Sequence, residues 1–368
     1  MINIFRLKIP SDRIFGLDLL RAMAILFVML SHAELQLPEN LKAVNRLFYF
    51  DGVLIFFVLS GFLIGNIFIK QLEEKPQDGK VLLHFWKRRW LRTLPAYLFV
   101  LILLIVLSRH SNHGFPLSKT WKYFLFVQNI NDARALFFFG ESWSLAVEEW
   151  FYLLMPIFTL ALIKIFNGGL KKSILVYIIV TIIGSFLIRH FKYQIYQPEN
   201  IKDWADYFKD SINTRFDSLS FGVLGAYLNY YYKPYWIKLN HSMYAVIGLA
   251  GFFLVRYAVL FGVIERESYF NCNIAFTLNS VLVFITLPFF SNMGATPYKL
   301  FNNIIIKTSL ISYSMYLLNL SVVTHFIINK NKPLIPAGYP LFWILTITLS
   351  VLMYKYIEVP FLKLRGKA

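Results

Sequence analysis

Three ionisable residues share one face of an apolar segment near the start of the chain. Asp18, Arg21 and His32 stand in the run GLDLLRAMAILFVMLSH, residues 16–32. In an α-helix, the eleven residues from Arg21 to His32 bring the second side chain to within about 20° of the first around the helix, roughly 16 Å further along its axis. A histidine can accept a proton from a hydroxyl group, and an arginine can hold an anion or a developing oxyanion. The spacing alone equally allows a structural ion pair, Asp18 with Arg21, beside an interfacial histidine.

A pair of glutamates opens a second apolar run. Glu148 and Glu149 lie in ESWSLAVEEWFYLL, and Ser144 shares a helix face with Glu148 at a spacing of four residues. Two adjacent carboxylates are costly in an apolar environment unless they are paired, although the first turn of a helix at an interface would also suit them. We expect their partners among the cations of the other apolar segments, namely Arg21, His32 and Arg215.

Four cations cluster in the segment FWKRRWLR: Lys87, Arg88, Arg89 and Arg92. Because guanidinium groups bind phosphate in a bidentate manner, the cluster suits a phosphorylated ligand. A basic cluster beside tryptophans is also typical of the cytoplasmic flank of a membrane span, and this segment taken alone favours that interpretation.

Two further segments combine small and polar residues. Arg215 and Asp217 begin the run RFDSLSFGVLGAY, where they could form an interfacial ion pair or contact a ligand. Gly52 and Gly61 lie in the aromatic run FDGVLIFFVLSGFLIG, where small residues favour close packing of helices.

The composition places these segments in a membrane. Of the 368 residues, 57% are apolar and only 15% are charged, against roughly 25% charged residues in soluble domains. These values exclude a disordered chain and disfavour a soluble two-domain enzyme. We predict an all-α polytopic transmembrane helical bundle of about ten spans that forms a single domain over 1–368. The ten predicted spans are 15–34, 47–69, 94–108, 143–166, 173–190, 215–232, 242–262, 271–291, 304–328 and 339–358.

The distribution of positive charge predicts the orientation of the chain. The net charge is +17. More than half of the Lys and Arg residues fall in segments that face the cytoplasm if the N-terminus does, so both termini are predicted to be cytoplasmic. Asp18 and Arg21 interrupt the first apolar run and no small-residue cleavage site follows it, which favours a retained helix over a signal peptide. With one cysteine, Cys272, and no zinc or nucleotide motif, we predict neither a metal site nor nucleic-acid binding.

Taken together, these blocks resemble the integral-membrane acyltransferase family 3, the bacterial O-acyltransferases that modify surface glycans and related acceptors. The resemblance runs over nearly the whole chain, and its specificity lies in the joint order of the blocks. The blocks are LDLLRAMAILFVMLSH with Arg21 and His32, FFVLSGFLI at 56–64, KRRWLR at 87–92, SWSLAVEEWFYLL at 142–154, RFDSLSFG at 215–222, ISYSMYLLN at 311–319 and YIEVPF at 356–361.

The resemblance implies an acyl-CoA donor, usually acetyl-CoA, that binds from the cytoplasm. It also implies an acceptor hydroxyl, commonly on a sugar, and an essential pair of residues that corresponds to Arg21 and His32. We therefore expect coenzyme A to bind at the basic cluster of Lys87, Arg88, Arg89 and Arg92. The expected catalytic residues are His32, Arg21, Glu148, Glu149 and Ser144, and the expected substrate-binding residues are Ser142, Trp143, Arg215 and Asp217.

The sequence departs from the family pattern in two blocks. Leu54 stands where relatives often have an acidic residue, and Asn319 stands where they often have a histidine. The identity of the acceptor therefore cannot be inferred from that of relatives. The chain also ends at Ala368, directly after the tenth predicted span, without the extra-cytoplasmic domain that some relatives carry. We expect direct transfer to the final acceptor or a separate extra-cytoplasmic partner protein, and a homo-oligomer is compatible with either arrangement.

The sequence thus predicts a multi-pass O-acetyltransferase of the bacterial inner membrane. It would move an acetyl group to a hydroxyl of a cell-surface polysaccharide, of the lipopolysaccharide O-antigen or exopolysaccharide type, or of a lipid-linked precursor. His32 would act as a general base or as a transient acetyl carrier. The alternatives are a transporter or flippase for a glycan or lipid-linked sugar, an inactive sensor or assembly partner, and an acyltransferase for a lipid, peptidoglycan or a small metabolite.

Overall fold

The described part of the chain is helical throughout. The computed structural model of the protein describes residues 7–10, 13–74, 79–109, 117–130, 138–166, 169–329 and 337–365, and no strand occurs within them. The predicted cytoplasmic ends of the chain include 1–6 and 366–368, which lie outside the described residues.

Ten long helices form the bundle within the described ranges. They are α1 Phe15–Ala33, α2 Gly52–Glu74, α3 Gly79–Arg109, α4 Ser142–Phe166, α5 Leu170–Tyr196, α6 Phe216–Tyr231, α7 Ser242–Leu260, α8 Phe270–Asn292, α9 Lys299–Ile328 and α10 Gly338–Leu364. Short helical segments connect them: Glu34–Gln36, Glu39–Asn45, Leu117–Lys119, Trp121–Phe124, Ile201–Trp204, Ala205–Lys209, Ile212–Thr214 and Lys233–Lys238.

Nine of these helices are long and apolar enough to cross a membrane, so the chain is a multi-pass membrane protein. The exception in the described bundle is the helix at the predicted span 215–232. This helix, α6, has 16 residues, or about 24 Å of rise against a hydrocarbon core of about 30 Å. Its residues Leu219 and Val223 are completely buried. Helix α6 is therefore enclosed by protein, which explains how a shorter helix is accommodated.

Helix α6 packs directly against α2 through glycines. An ideal Cβ on Gly61 would lie 2.1 Å from the carbonyl oxygen of Leu219, and one on Gly222 would lie 2.1 Å from that of Val58. Further along, Gly65 faces Val223, so the two helices run in the same direction. The small residues of α2 thus allow backbone contact between helices, as their pattern in the sequence predicts.

Helix α1 is held on several sides by neighbouring backbones. The Gly16 N–H donates to the Met293 carbonyl at the end of α8 over 3.2 Å. An ideal Cβ on Gly52 of α2 would lie 2.2 Å from the Ala24 carbonyl oxygen. On another side, α9 changes from α-helical to π-helical geometry at Asn319. π-Helical geometry is frequent at functional sites, and this ten-residue segment, Asn319–Ile328, begins at the residue that contacts His32.

The contact between α2 and α6 predicts a selective loss of stability. We expect Gly222→Val to lower the thermal unfolding midpoint of the detergent-solubilised protein by several degrees, because a branched side chain would collide with the α2 backbone. Gly184→Val in α5 is the matched control, since an added Cβ there meets nothing within 4 Å. Equal shifts of the midpoint for the two variants would contradict this packing argument.

Candidate active site

Two neighbouring polar cavities occur in the described part of the bundle. The Arg21 cavity, of about 100 Å³, is bounded by α1, α2, α3, α4 and α9. The His32 cavity, of about 510 Å³, lies toward the C-terminal end of α1. Val53 and Tyr316 line both cavities, which therefore meet at this pair. Arg21 and His32, placed on one helix face by their spacing, thus belong to two adjoining cavities along α1.

Tyr316 ties the walls of the two cavities together. Its hydroxyl donates to the Glu141 carbonyl over 2.9 Å and forms a hydrogen bond of 2.6 Å with Ser144 Oγ. Ser144 lines the Arg21 cavity, whereas Glu141 lines the His32 cavity. The junction is therefore a hydrogen-bonded chain, and any change in the Tyr316 rotamer would alter the opening between the cavities.

His32 is oriented by Asn319, the first residue of the π-helical segment of α9. Nδ1 of His32 is hydrogen-bonded to Oδ1 of Asn319. The Asn319 side-chain amide is itself fixed, because its Nδ2 donates to the carbonyls of Met315 and Tyr316 over 2.8 Å each. Asn319 Oδ1 can only accept, so Nδ1 of a neutral His32 carries the proton. The lone pair then resides on Nε2, which is the arrangement that a general base or nucleophile requires.

The two glutamates of α4 both bind Arg89. The Arg89 Nη2 group donates to Glu148 over 2.9 Å and to Glu149 over 3.3 Å, and its guanidinium lies 3.8 Å from the ring centre of Tyr152. Thr93 donates a further hydrogen bond of 3.1 Å to Glu149. The partner of both carboxylates thus differs from the three candidates that the sequence suggested. The α3–α4 contact supplies it, because it brings Arg89 against the glutamates.

Arg21 and Arg92 are the cations of the Arg21 cavity that lack a close carboxylate partner among the described residues. Arg21 lies 3.9 Å from Asp18 and 3.5 Å from the Ser309 hydroxyl. The Asp18 carboxylate is instead satisfied by Arg13 and by a hydrogen bond of 2.7 Å from Ser309. The predicted pairing of Asp18 with Arg21 is therefore present only as a long contact, which leaves the Arg21 guanidinium available to the cavity.

Several other residues expected at the site lie away from the two cavities. Lys87 is exposed and Arg88 is half-buried, and neither lines a cavity. Ser142 is buried, where its hydroxyl donates to the Phe139 carbonyl over 2.6 Å. Asp217 forms a fully buried ion pair of 2.8 Å with Arg189. In the described structure, Ser142 and Asp217 therefore take part in internal packing and make no contact with either cavity.

Trp143 and Arg215 lie at the His32 cavity in different ways. Trp143 lines the cavity. Arg215 is fully buried behind the cavity wall, 3.6 Å from Asp51 and with its guanidinium carbon 4.5 Å from the centre of the Phe276 ring. Because Asp51 and Phe276 themselves line the cavity, Arg215 supports the wall through these two residues.

Glu141 is a site residue that sequence reasoning missed. It is 1% exposed, lines the His32 cavity and accepts hydrogen bonds from the Ser321 hydroxyl over 2.5 Å and the Ser321 N–H over 3.3 Å. Burial raises the pKa of this carboxyl to about 7, although the bonds from Ser321 act in the opposite direction. Glu141 stands just before α4, where an acidic residue in the sequence looks like an ordinary solvated helix end.

Comparison with known proteins identifies the family. A family model described as "Acyltransferase domain" matches residues 14–355. The chain belongs to acyltransferase family 3. The matched range includes both cavities and every residue named in this subsection except Arg13.

The acyltransferase family includes curated relatives from Staphylococcus aureus. The O-acetyltransferase OatA of strain NCTC 8325 / PS 47 is 28% identical over 96% of this chain and 58% of its own length. The OatA protein of strain COL gives the same values. The chain thus spans less than two thirds of the length of these relatives. No solved structure matches the chain.

The buried carboxyl of Glu141 predicts a pH dependence of stability. Its pKa rises on folding, so the folded state favours the protonated form, and this contribution to stability is lost as the pH rises from about 4.5 through about 7. We expect the thermal unfolding midpoint of the wild type to fall more than that of Glu141→Gln between about pH 5 and about pH 8. Glu199→Gln, at an exposed carboxylate, should behave as the wild type does. Parallel pH profiles for wild type and Glu141→Gln would contradict the assignment.

Proposed function

We propose that the protein is an O-acetyltransferase that transfers the acetyl group of acetyl-CoA to a hydroxyl of a cell-surface polysaccharide or of its lipid-linked precursor. Family membership and the names of the Staphylococcus aureus relatives support acyl transfer. The observation that carries the proposal is the placement of His32, with Nε2 as its free base, in a cavity that adjoins the one lined by Arg21 and Arg92, which lack a close carboxylate partner in the described structure. A multi-pass protein of this kind fits the bacterial cytoplasmic membrane.

The Arg21 cavity is the proposed site of the acetyl thioester. Arg21 and Arg92 present positive charge to this cavity, and Ser144 adds a hydroxyl. The positive-inside rule predicts that the Arg21 end of α1 faces the cytoplasm, where acetyl-CoA is available. Lys87 and Arg88 precede the cavity-lining residues of α3 in the sequence, and they would then contact the coenzyme A phosphates. Arg89 would act through Glu148 and Glu149 by holding α3 against α4.

The reaction balances with His32 as the only proton carrier. Nε2 of His32 takes the proton of the acceptor hydroxyl while the oxygen attacks the thioester carbonyl carbon, and Arg21, in the adjoining cavity, helps to position the thioester. When the carbon–sulfur bond breaks, the proton passes from His32 to the departing thiolate. The products are an O-acetyl ester and coenzyme A with a free thiol.

A second order of events uses the same residues. Nε2 can first attack the thioester carbonyl itself, which breaks the carbon–sulfur bond, releases coenzyme A as its thiolate and leaves the acetyl group on a positively charged His32. The proton that the acceptor hydroxyl loses in the next step neutralises the thiolate. The acceptor hydroxyl then displaces the imidazole, and the ester product is the same. Both orders require a His32 ring whose Nδ1 is held by Asn319.

A glycan transporter is the second candidate, and it is favoured by one observation. Two polar cavities that meet in series through Tyr316 also resemble a passage for a substrate. The two functions differ in their need for coenzyme A, because transport requires no thioester. Release of free thiol that depends on both acetyl-CoA and an acceptor would exclude a transporter without acyltransfer.

The proposed chemistry predicts the behaviour of a His32 variant. We expect His32→Ala to reduce acetyl transfer by the purified protein by at least about 10²-fold, the typical effect of losing a general base. Free thiol release and the mass of the acetylated acceptor are the measurements. His190→Ala serves as the control, since His190 is bonded to Tyr269 and lines neither cavity. Near wild-type transfer by a correctly folded His32→Ala protein would remove His32 from the mechanism.

A further inference from the structure

Two arginines of the His32 cavity have no role in the chemistry described above. Arg256 lies on α7 and Arg266 lies in the turn that follows it, and both line the cavity. Each is partly buried. Among the ion pairs of the described residues, none involves either guanidinium. A cation within a membrane-spanning helix, as Arg256 is, is costly unless it faces a polar cavity or meets an anion.

The acidic residues of the same cavity already have partners. Glu34 forms an ion pair of 2.7 Å with Arg46. Asp51 lies 3.6 Å from Arg215. Glu141 is bonded to Ser321. The cavity therefore offers no free carboxylate to Arg256 and Arg266 within the described structure, and it keeps an excess of positive charge on this wall.

The geometry of Arg256 leaves its donors free for a ligand. The guanidinium carbon lies 5.3 Å from the centre of the Tyr49 ring, and the Tyr49 hydroxyl donates to Glu34 over 3.0 Å. This cation–π contact uses none of the guanidinium N–H groups as hydrogen-bond donors to oxygen, so they are left for a ligand. This is the arrangement in which arginine binds a carboxylate or phosphate.

Aromatic side chains form much of the remaining cavity wall. They include two tryptophans, Trp143 and Trp204, and two phenylalanines, Phe252 and Phe276. A cavity of about 510 Å³ is within the usual size range of small-ligand sites, which is about 300–1,000 Å³. Aromatic faces pack against the C–H faces of sugar rings, so this wall suits a saccharide that carries an anionic group.

We propose that the His32 cavity binds an anionic acceptor saccharide, whose carboxylate or phosphate is held by Arg256 and Arg266 while a hydroxyl is presented to His32. This inference rests on the proposed function for the identity of the reaction, and it adds the substrate class. The shared chemistry is an oxyanion on the acceptor. It could be a uronic acid carboxylate or the phosphate that joins a sugar to its lipid carrier.

The test compares three simple saccharides as probes: methyl glucoside, glucuronate and glucose 1-phosphate. Binding to the full-length protein in nanodiscs is measured by saturation-transfer NMR and titration, without acetyl-CoA. We expect the wild type to bind at least one of the anionic probes at least about tenfold more tightly than methyl glucoside, as charged hydrogen bonds of this kind provide. A preference for glucuronate indicates a carboxylate ligand, and a preference for glucose 1-phosphate indicates a phosphate.

The variants connect that preference to the two arginines. The double variant Arg256→Gln with Arg266→Gln should lose the preference for the anion and keep the affinity for methyl glucoside. Replacement of both by lysine should retain part of it, because lysine keeps the charge but loses bidentate bonding. Arg109→Gln, at an exposed arginine that lines neither cavity, should retain all of it. Equal binding of the three probes by the wild type, or an unchanged preference in the double glutamine variant, would overturn the proposal.

Acetyl transfer to the same probes separates this inference from the proposed function. If anionic probes bind in an arginine-dependent manner but no acetyl group is transferred from acetyl-CoA, the transferase proposal fails and the anion site is retained. If methyl glucoside is acetylated as readily as the anionic probes and binds as tightly, the transferase proposal is retained and the anion site fails. Measuring probe binding to His32→Ala keeps the two readouts independent.

Discussion

The architecture is organised by the high cost of leaving an ionisable group without a partner inside a membrane. The bundle meets this constraint by pairing most of its buried charges. Arg89 is placed between Glu148 and Glu149, and Arg189 is paired with Asp217. Such pairs fix the positions of neighbouring helices, and removing one partner would leave the other charge buried without a counter-ion. Four arginines without a close carboxylate partner in the described structure, Arg21, Arg92, Arg256 and Arg266, line the two cavities, which makes them candidates for contact with a ligand.

His32 is an ionisable residue whose partner inside the bundle is a neutral side chain. Its contact is with the Asn319 amide, whose orientation is fixed by two backbone carbonyls at the point where α9 becomes a π-helix. A carboxylate at this position would place a further charge in the bundle, whereas the amide fixes the proton on Nδ1 without one. The basic atom of the imidazole, Nε2, is thereby left free of Asn319. In the proposed reaction, Arg21 in the adjoining cavity would position the thioester donor.

Much of the fold follows from the sequence, because the length and hydropathy of a segment largely decide whether it forms a membrane helix. Within the residues that the structure describes, nine predicted spans appear as long apolar helices, and the tenth, α6, is shorter than a membrane requires. Its depth inside the protein arises from glycines on two helices, Gly61 and Gly222, which meet only after folding. Hydropathy averages over a window and contains no such information.

Less of the site than of the fold could be predicted from the sequence, because the site also depends on contacts between helices that are distant in the chain. The residue types and the spacing of Arg21 and His32 pointed to one face of α1, and both residues line a cavity in the structure. Their separation into two cavities, however, depends on where Val53 and Tyr316 pack. Likewise, Arg89 and the two glutamates lie on separate helices, and no local pattern links them. Asn319 was visible only as a departure from the family, although its contact with His32 gives it a specific task.

The protonation state of His32 is the most direct test of this account. ¹⁵N NMR of protein labelled at histidine, with His32→Ala used to assign the resonance, distinguishes a protonated from an unprotonated ring nitrogen. The account predicts that neutral His32 carries its proton on Nδ1 and has an unprotonated Nε2, and that Asn319→Leu disturbs this preference. A neutral His32 with its proton on Nε2 in the wild type would contradict it, because that ring has no free base to offer an acceptor hydroxyl.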